Sequence, residues 1–293
     1  MVPEATTQSA ALERFREELL AVHPIPAAAD IIQRILELMS REEANRNELA
    51  ALVSRDPSLA ARLLGLANSP FFAPTKAITT IPQALMLLGF SHVRDIVVGL
   101  SLWESLEAKD ARARKRRESL WLHSVAVAGA ARQLAEHVGS DGGLAFVVGL
   151  LHDIGKLVLG LRFGETYWAI LDDAEERRCD LVALEHYWFG CDHAEVGRWL
   201  LDAWSLPPTM GIGVAHHHLP LRAHSFKGTI PAVAAVTAAD RLLTSTEVEN
   251  GQVWWIALAE VQAFVPEWDA ALWRTIYETL SRDSRRSARV LAS

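Results

Sequence analysis

Apolar residues recur along most of the chain at the three- and four-residue spacing that is typical of amphipathic helices. No stretch combines a sustained alternation of apolar and polar residues with the turn dipeptides that would mark strands and hairpins. The pattern therefore predicts an all-α fold, a multi-helix bundle. The predicted helices cover residues 12–20, 31–39, 47–53, 57–68, 81–88, 91–106, 119–137, 142–152, 181–189, 194–204, 208–216 and 230–241, with an apolar run over 157–170 and two amphipathic helices within 252–280.

Several helix boundaries can be placed from their end residues. Asp56 followed by Pro57 is typical of an N-cap with proline in the first turn. Asp192, with Glu195 three residues later, predicts a capping box and makes His193 the first residue of the next helix. A helix start is a good place for a side chain that is aimed into a site.

A basic segment near the middle of the chain marks a change in composition. Arginine and lysine crowd together between Ala108 and Glu118 in a protein that is otherwise acidic. We interpret this segment as a solvated helix start or a linker, in preference to a site for an anionic ligand. It also predicts a boundary between two helical lobes, residues 1–110 and residues 111–293. The basic residues are Arg112, Arg114, Lys115, Arg116 and Arg117.

Charge and composition argue against several classes of function. The net charge of −7 argues against broad electrostatic binding of nucleic acid, and the loose helix-turn-helix pattern of residues 47–66 is better explained by core packing. Two cysteines, Cys179 and Cys191, form neither a disulfide framework nor a common zinc motif. The N-terminus lacks a signal pattern, and no apolar run approaches the ~20 residues that span a bilayer. We expect a soluble cytoplasmic protein that binds no membrane.

The segment from Gly149 to Lys156 carries the clearest chemistry. It closes an apolar helical run with His152 and Asp153, and an imidazole beside a carboxylate is a good pair of ligands for a divalent metal. We expect Gly155 to supply the backbone freedom that lets both side chains reach one ion. Lys156 would then lie close enough to meet an anion held by the metal. A lone His-Asp pair is more often a polar helix end, so the prediction depends on further histidines.

Five further donors lie at the ends of, or within, predicted helices. Each of them alone favours a structural role, but helical bundles build metal sites from side chains on facing helices. Together they exceed what one tetrahedral zinc requires, and they suit one octahedral ion with waters or two ions that share ligands. The complete candidate set of metal ligands is His123, His152, Asp153, His193, His217, His218 and Asp240.

The order of motifs resembles the HD superfamily of metal-dependent phosphohydrolases, and within it the HDOD family, over roughly residues 23–245. In the first half the resemblance rests on the residues of 23–26, 48–50, 56–60, 67–72 and 83–89. In the second half it rests on the residues of 121–124, 150–156, 192–197, 204–207 and 217–220.

The resemblance implies an all-α bacterial signalling module, and the seven candidate ligands and Lys156 are similar in position to those of the related HD-GYP branch. That branch hydrolyses cyclic di-GMP, but its Gly-Tyr-Pro element is absent here, where Leu219-Pro220-Leu221 stands. The acidic ligand one turn before the first histidine is also out of register, since Ser119 occupies that place. Both departures disfavour cyclic di-GMP hydrolysis, although the ligands for a simpler centre remain.

Two functions follow as hypotheses. The first is a regulatory module that acts through a protein partner in a signalling pathway and keeps an HD-type metal site. The alternative is a phosphohydrolase, with Asp153 as a ligand able to bridge two ions and Lys156 stabilising charge on the transferring group. The cofactor would be one or two divalent ions, from Fe, Mn, Zn or Mg. A nucleotide or another phosphate-containing compound would be the ligand.

Overall fold

All regular structure in the described part of the chain is helical, as the computed structural model shows. The described residues are 13–20, 33–35, 37–38, 46–69, 72, 74–106, 108, 110–218, 230–244, 271 and 274. The all-α prediction is confirmed. Residues 23–26, on which part of the family resemblance rests, and nearly all of the helices predicted within 252–280 lie outside the described residues.

The described helices follow one another with short connections, as in a helical bundle. Two helical stretches precede the labelled helices, namely residues 13–20 and the described residues of 33–38. The labelled helices are α1 (Arg46–Ser54), α2 (Pro57–Ala67), α3 (Ile81–Leu88), α4 (Phe90–Ser105), α5 (Ala111–His137), α6 (Gly142–Leu151), α7 (Ile154–Phe163), α8 (Glu165–Arg177), α9 (Leu181–Phe189), α10 (His193–Ala203), α11 (Pro208–Ala215) and α12 (Ile230–Thr244).

Helices α1 to α4 pack on one another in the first half of the chain. The Asp56 carboxylate accepts hydrogen bonds from two backbone N–H groups of α2, which confirms the predicted N-cap. Thr80 and Gln83 form a further capping box at α3 that the sequence reading missed. The apolar residues of α1 and α2 are buried, and Leu49 and Leu59 are fully inaccessible. Their burial supports core packing as the explanation of the helix-turn-helix pattern.

The basic segment is the first two turns of α5, so of the two alternatives the helix start is correct and the linker is wrong. Asp110 caps this helix, which begins eight residues before the predicted start at 119. Arg112 pairs with Glu165 and Asp172, and Arg116 pairs with Asp172 and Glu175. These pairs join α5 to α8. Arg112 and Arg116 therefore bind the protein's own carboxylates.

Helix α6 lies at the centre of the second half, where it packs against α4, α5, α11 and α12. Helices α7 and α10 pack closely on each other, and α10 also contacts α11. The apolar run predicted over 157–170 is interrupted at Gly164, whose φ of 54° ends α7 and begins α8. Only His152 and Asp153 separate α6 from α7.

The buried cores on the two sides of residue 110 are continuous. Trp103 of α4 donates from its indole Nε1 to the carbonyl oxygen of Leu150 in α6 at 3.0 Å. Arg117 of α5 donates to the carbonyl oxygen of Trp103 at 2.7 Å. These bonds tie α4 to the helices that carry the candidate ligands. The division of the chain into lobes at residue 110 stays a prediction.

One described segment, Gly142–Phe163, is long and apolar enough to cross a membrane, with a mean hydropathy of 1.8. The expectation that no apolar run reaches this length was therefore wrong. However, 83% of its most apolar window is buried inside the protein, as in the core helices of a soluble domain. Helices α3 and α4 meet the same test only if they count as one span, and they are bent by 118°.

Candidate metal centre

The seven candidate ligands converge on one cluster, although they come from five different parts of the bundle. His123 lies in the middle of α5, and Asp240 lies near the end of α12. His152 and Asp153 form the junction between α6 and α7. His193 is the first residue of α10, inside the predicted capping box, which is confirmed. His217 and His218 follow the end of α11.

Asp153 lies at the middle of the cluster, with one carboxylate oxygen towards each side. Its Oδ1 is 3.4 Å from Nε2 of His193 and 3.9 Å from Nε2 of His217. Its Oδ2 is 3.4 Å from Nε2 of His152 and 3.9 Å from Nε2 of His123. The carboxylate therefore separates two groups of donors and contacts both.

The ligand atoms form two compact groups. The first group consists of ligand atoms from His123, His152 and Asp153, and the second of ligand atoms from His193, His217 and His218. Within each group, all ligand atoms lie within 4.8 Å of one another. Asp240 joins the first group, since its Oδ1 is 2.9 Å from Nε2 of His123 and 3.7 Å from Nε2 of His152. The arrangement offers places for one ion or two.

Three buried polar atoms at the centre have no hydrogen-bond partner among the described residues: Nε2 of His152, Nε2 of His217 and Oδ1 of Asp153. Leaving a buried polar group unpaired costs about 1–3 kcal/mol, so native proteins rarely do it without a reason. The Nδ1 atoms of both histidines donate to backbone carbonyls, which leaves each Nε2 directed towards the carboxylate of Asp153. Nitrogen and oxygen donors held in this way fit a divalent metal.

The pKa directions of the candidate ligands are also those of a site for a divalent metal. Burial would raise the pKa of Asp153, but His152 and Lys156 hold it well below its usual range. Burial would also raise the pKa of Asp240, yet the hydrogen bond from His123 and the charge of the nearby His152 keep it low. Both groups are therefore carboxylates at neutral pH. Burial lowers the pKa of His217 well below its usual range, and lowers that of His218 to about 3. These two imidazoles are neutral, as metal ligands must be.

His152 behaves differently. Burial alone would lower its pKa, but the carboxylates of Asp153 and Asp240 raise it to about 10. The space between the two carboxylates therefore favours a positive charge, either a proton on His152 or a metal ion.

The candidate ligands differ in their exposure to solvent. His152, His193 and His217 are fully buried, whereas the side chains of His123 and Asp240 are 22% and 15% exposed. Lys156, one turn into α7, places Nζ 2.7 Å from Oδ2 of Asp153 and is also 15% exposed. His123, Asp240, Lys156 and the half-buried His218 are therefore the more exposed residues of the cluster. Lys156 thus lies beside Asp153, and its contact with an anion held by a metal stays a prediction.

Gly155 has a different role from the one that we expected. It lies inside α7 and has no left-handed φ. A Cβ atom at this position would come within 1.9 Å of the carbonyl oxygen of His193 and 2.8 Å of the backbone nitrogen of Gly197. Gly155 therefore permits the close contact of α7 and α10 that brings His193 to Asp153.

The sequence reading missed Glu185, which is fully buried in α9. Its Oε2 accepts hydrogen bonds from the ring Nδ1 and the backbone N–H of His193, at 2.6 and 2.9 Å. Its Oε1 accepts from the hydroxyl of Tyr167 at 2.5 Å. The sequence did contain a sign of its role, because Glu185 is the single carboxylate among the mostly apolar residues of Leu181–Phe189.

A third group of possible ligands is accounted for by helix capping. His186, Asp192 and Glu195 lie close together at the protein surface. The carboxylates of Asp192 and Glu195 already accept the backbone N–H groups of each other in the capping box of α10. His216, the residue that caps α11, belongs to none of the three groups.

Comparisons with known proteins agree with the fold and the motifs. The family model of the HDOD domain matches residues 25–220. A solved HDOD domain protein with unknown function from Geobacter sulfurreducens is 24% identical, covers 96% of this chain and 97% of its own, and superposes with a TM-score of 0.69. A protein from Shewanella amazonensis SB2B, named "putative phosphohydrolase", is 23% identical, with 96% and 98% coverage and a TM-score of 0.71.

A curated relative is longer than this chain. It is an uncharacterized protein of Treponema pallidum (strain Nichols), which is 25% identical over 225 residues. The match covers 76% of this chain but 43% of the relative, so the chain spans less than half of that protein's length.

Proposed function

The chain belongs to the HDOD domain family, and from this premise we propose that it is a regulatory module built around a divalent-metal centre. One observation carries the metal centre: three buried donor atoms, on His152, His217 and Asp153, lie in one cluster without a hydrogen-bond partner among the described residues. A cation bound by these atoms would remove the cost of leaving them unpaired.

The two donor groups divide the roles of the ligands. His123, His152 and Asp240 would hold a metal on one side, and His193, His217 and His218 would hold a metal on the other. Asp153 would serve either side through its two oxygens. Imidazole-rich sets favour Fe, Zn and similar ions over Mg, and the carboxylates also suit Mn. We therefore place Fe, Mn or Zn ahead of Mg.

We expect protein purified without chelator to contain about one to two divalent ions per chain. His152→Ala should reduce the metal content of the protein severely, because it removes one ligand and leaves Asp153 and Asp240 without their shared partner. Elemental analysis by plasma mass spectrometry measures the content. His137→Ala, at the exposed end of α5, is the matched control and should leave it unchanged. Wild-type protein with far less than one ion per chain would contradict the centre.

For the regulatory role we propose a protein partner in a signalling pathway and a location in the cytoplasm. The premise is the family, whose members the motifs of this chain resemble. The absence of the Gly-Tyr-Pro element also supports this role, since it removes a feature of the cyclic di-GMP hydrolases. In this role, metal occupancy would set the conformation that the partner recognises, and no turnover would be needed.

A second candidate function, hydrolysis of a phosphate ester or diester, is favoured by Lys156. Its ammonium group lies beside Asp153 and is partly open to solvent, where a phosphate would enter. A bound divalent ion supplies Lewis acidity and lowers the pKa of water towards neutrality. Lys156 would bind the phosphate and neutralise charge that develops on its oxygens. Asp153 would hold the position of Lys156 through their ion pair. The substrate class would be a nucleotide or a cyclic dinucleotide.

If the chain is a hydrolase, we expect Mn²⁺- or Fe²⁺-loaded protein to cleave bis(p-nitrophenyl) phosphate or a cyclic dinucleotide. Lys156→Met should lower this turnover by about 100-fold, because a preorganised positive group is lost. Its metal content should stay close to that of the wild type, since ammonium is not a ligand. Lys115→Met, which changes an exposed lysine of α5, is the control. Loaded wild-type protein without turnover on these substrates would leave the regulatory role as the function.

A further inference from the structure

A histidine that binds metal through one ring nitrogen needs an acceptor for the proton on the other nitrogen. His152 and His217 use the backbone for this purpose. Each follows the C-terminal end of a helix, where the last carbonyl groups have no partner within the helix. Nδ1 of His152 donates to the carbonyl oxygen of Gly149, and Nδ1 of His217 donates to that of Val214, both at 2.7 Å. Each acceptor lies three residues back.

His193 cannot use this solution, because it lies at the opposite end of a helix. The unpaired backbone groups at a helix N-terminus are N–H donors, and no free carbonyl is available there. The acceptor must therefore come from another element. Glu185 of α9 supplies it, and one oxygen of its carboxylate accepts both the ring Nδ1 proton and the backbone N–H of His193.

The carboxylate is itself held in place. Tyr167 of α8 donates its hydroxyl to the second oxygen of Glu185, and all three side chains are fully buried. Glu185 thus accepts three hydrogen bonds, which compensates for the burial of a charged group. The positive end of the α10 dipole adds to this stabilisation. The chain Tyr167–Glu185–His193 joins three consecutive helices to one candidate ligand.

We propose that Glu185 is a positioning residue of this metal centre. It fixes His193 as the Nδ1–H tautomer, with Nε2 towards the metal, and Tyr167 in turn orients Glu185. This inference rests on the proposed metal centre. It assigns to a side chain the role that the backbone performs for His152 and His217.

The same contacts determine how His218 is protonated before metal binds. The Nε2 atoms of His218 and His193 are 2.8 Å apart, so one of them must donate to the other. In the tautomer proposed here, Nδ1 of His193 carries the proton, so its Nε2 accepts and Nε2 of His218 donates. A metal ion that enters the second donor group must displace the proton from Nε2 of His218. In the metal-free protein, therefore, His193 and His218 should be opposite tautomers.

The first test needs no metal. Long-range ¹H–¹⁵N spectra of metal-free protein with ¹⁵N-labelled histidine report which ring nitrogen carries the proton, and His193→Gln assigns the resonance. We expect His193 as Nδ1–H and His218 as Nε2–H. Finding His193 as Nε2–H would overturn the proposal. Because the protein is metal-free, this outcome is distinct from a failure of the metal centre, which elemental analysis tests separately.

The second test compares Glu185→Leu, Glu185→Gln and Tyr167→Phe by competition of each folded variant with a chromophoric chelator for Zn²⁺. We expect Glu185→Leu to weaken binding by about 10- to 100-fold and to lose the single tautomer of His193. Glu185→Gln, which keeps an acceptor but loses the charge, should recover the tautomer and part of the affinity. Tyr167→Phe should cause a smaller loss.

A merely structural role of Glu185 gives a different result. Variants that remain folded by circular dichroism would then bind Zn²⁺ within about twofold of the wild type and would keep the wild-type tautomer, and this outcome would overturn the proposal. If Glu185→Leu does not fold, Glu185→Gln and Tyr167→Phe decide the question. Both keep the volume of the original side chain to within an atom.

Discussion

Asp153→Asn should reduce the metal content to about a tenth of the wild-type value or less, since even loss of a residue that only orients a ligand costs 10- to 100-fold in affinity. Asp153 contacts donors of both groups through its two oxygens. An amide of the same shape removes the negative charge and replaces one acceptor oxygen by a donor. The substitution should therefore affect both groups together, whereas loss of His218 should affect one. Elemental analysis of both variants separates these outcomes.

The same variant should be less stable even without metal. Asp153→Asn removes the counter-charge that Lys156 and the buried His152 share, and breaking a largely buried ion pair costs about 3–5 kcal/mol. Urea denaturation in excess chelator measures the loss in the free energy of unfolding. Asp202→Asn removes a carboxylate from a surface pair with Arg198 and serves as the control, with an expected loss below about 1 kcal/mol. If Asp153→Asn lowers the free energy of unfolding by no more than Asp202→Asn does, the ion pair with Lys156 does not contribute to folding.

Gly155→Ala should be the most damaging single-methyl substitution at the centre. The added Cβ would meet the backbone of His193 and Gly197, and backbone atoms cannot turn aside as a side chain can. Overpacking of this kind typically costs about 1–3 kcal/mol, and a backbone contact should reach the upper end. Moving α10 away from α7 also moves His193 away from Asp153. We therefore expect both lower stability and weaker Zn²⁺ binding, measured by urea denaturation and by chelator competition.

The control for this substitution is Gly99→Ala in α4. Its Cβ would lie 3.1 Å from the methyl end of the Leu150 side chain, which can shift by a few tenths of an ångström. Alanine is favoured over glycine within a helix by about 1 kcal/mol, which offsets that small strain. We expect little change in stability and none in Zn²⁺ affinity. Equal effects of the two substitutions would argue that the contact between α7 and α10 is not specifically important.

The sequence predicts the fold and the members of the candidate centre for different physical reasons. Helical periodicity and capping residues such as Asp56 and Asp192 act locally, so the helices could be placed from the chain itself. The convergence of the seven donors could be inferred only from the combination of motifs, because no local rule brings His123 to Asp240. The structure brings these two side chains to 2.9 Å.

The features that the sequence reading missed depend on contacts between helices. Glu185 looks like an ordinary residue of a short helix until the N-terminus of α10 is placed beside it. Gly155 has the conformation of any helical residue, and only the position of α10 shows why a side chain is excluded there. Likewise, Arg112 and Arg116 are a basic cluster in the sequence but ion-pair partners of α8 in the folded protein. Such roles require knowledge of packing, which periodicity does not contain.

The different acceptors of the three buried histidines have an evolutionary consequence. The backbone carbonyls that orient His152 and His217 survive any side-chain mutation, whereas the acceptor for His193 is encoded by one codon. A substitution at position 185 could therefore weaken metal binding in a lineage while every donor residue stayed in place. Counting donors in an alignment would then classify an inactive descendant as intact, and the residue at position 185 would be the better marker.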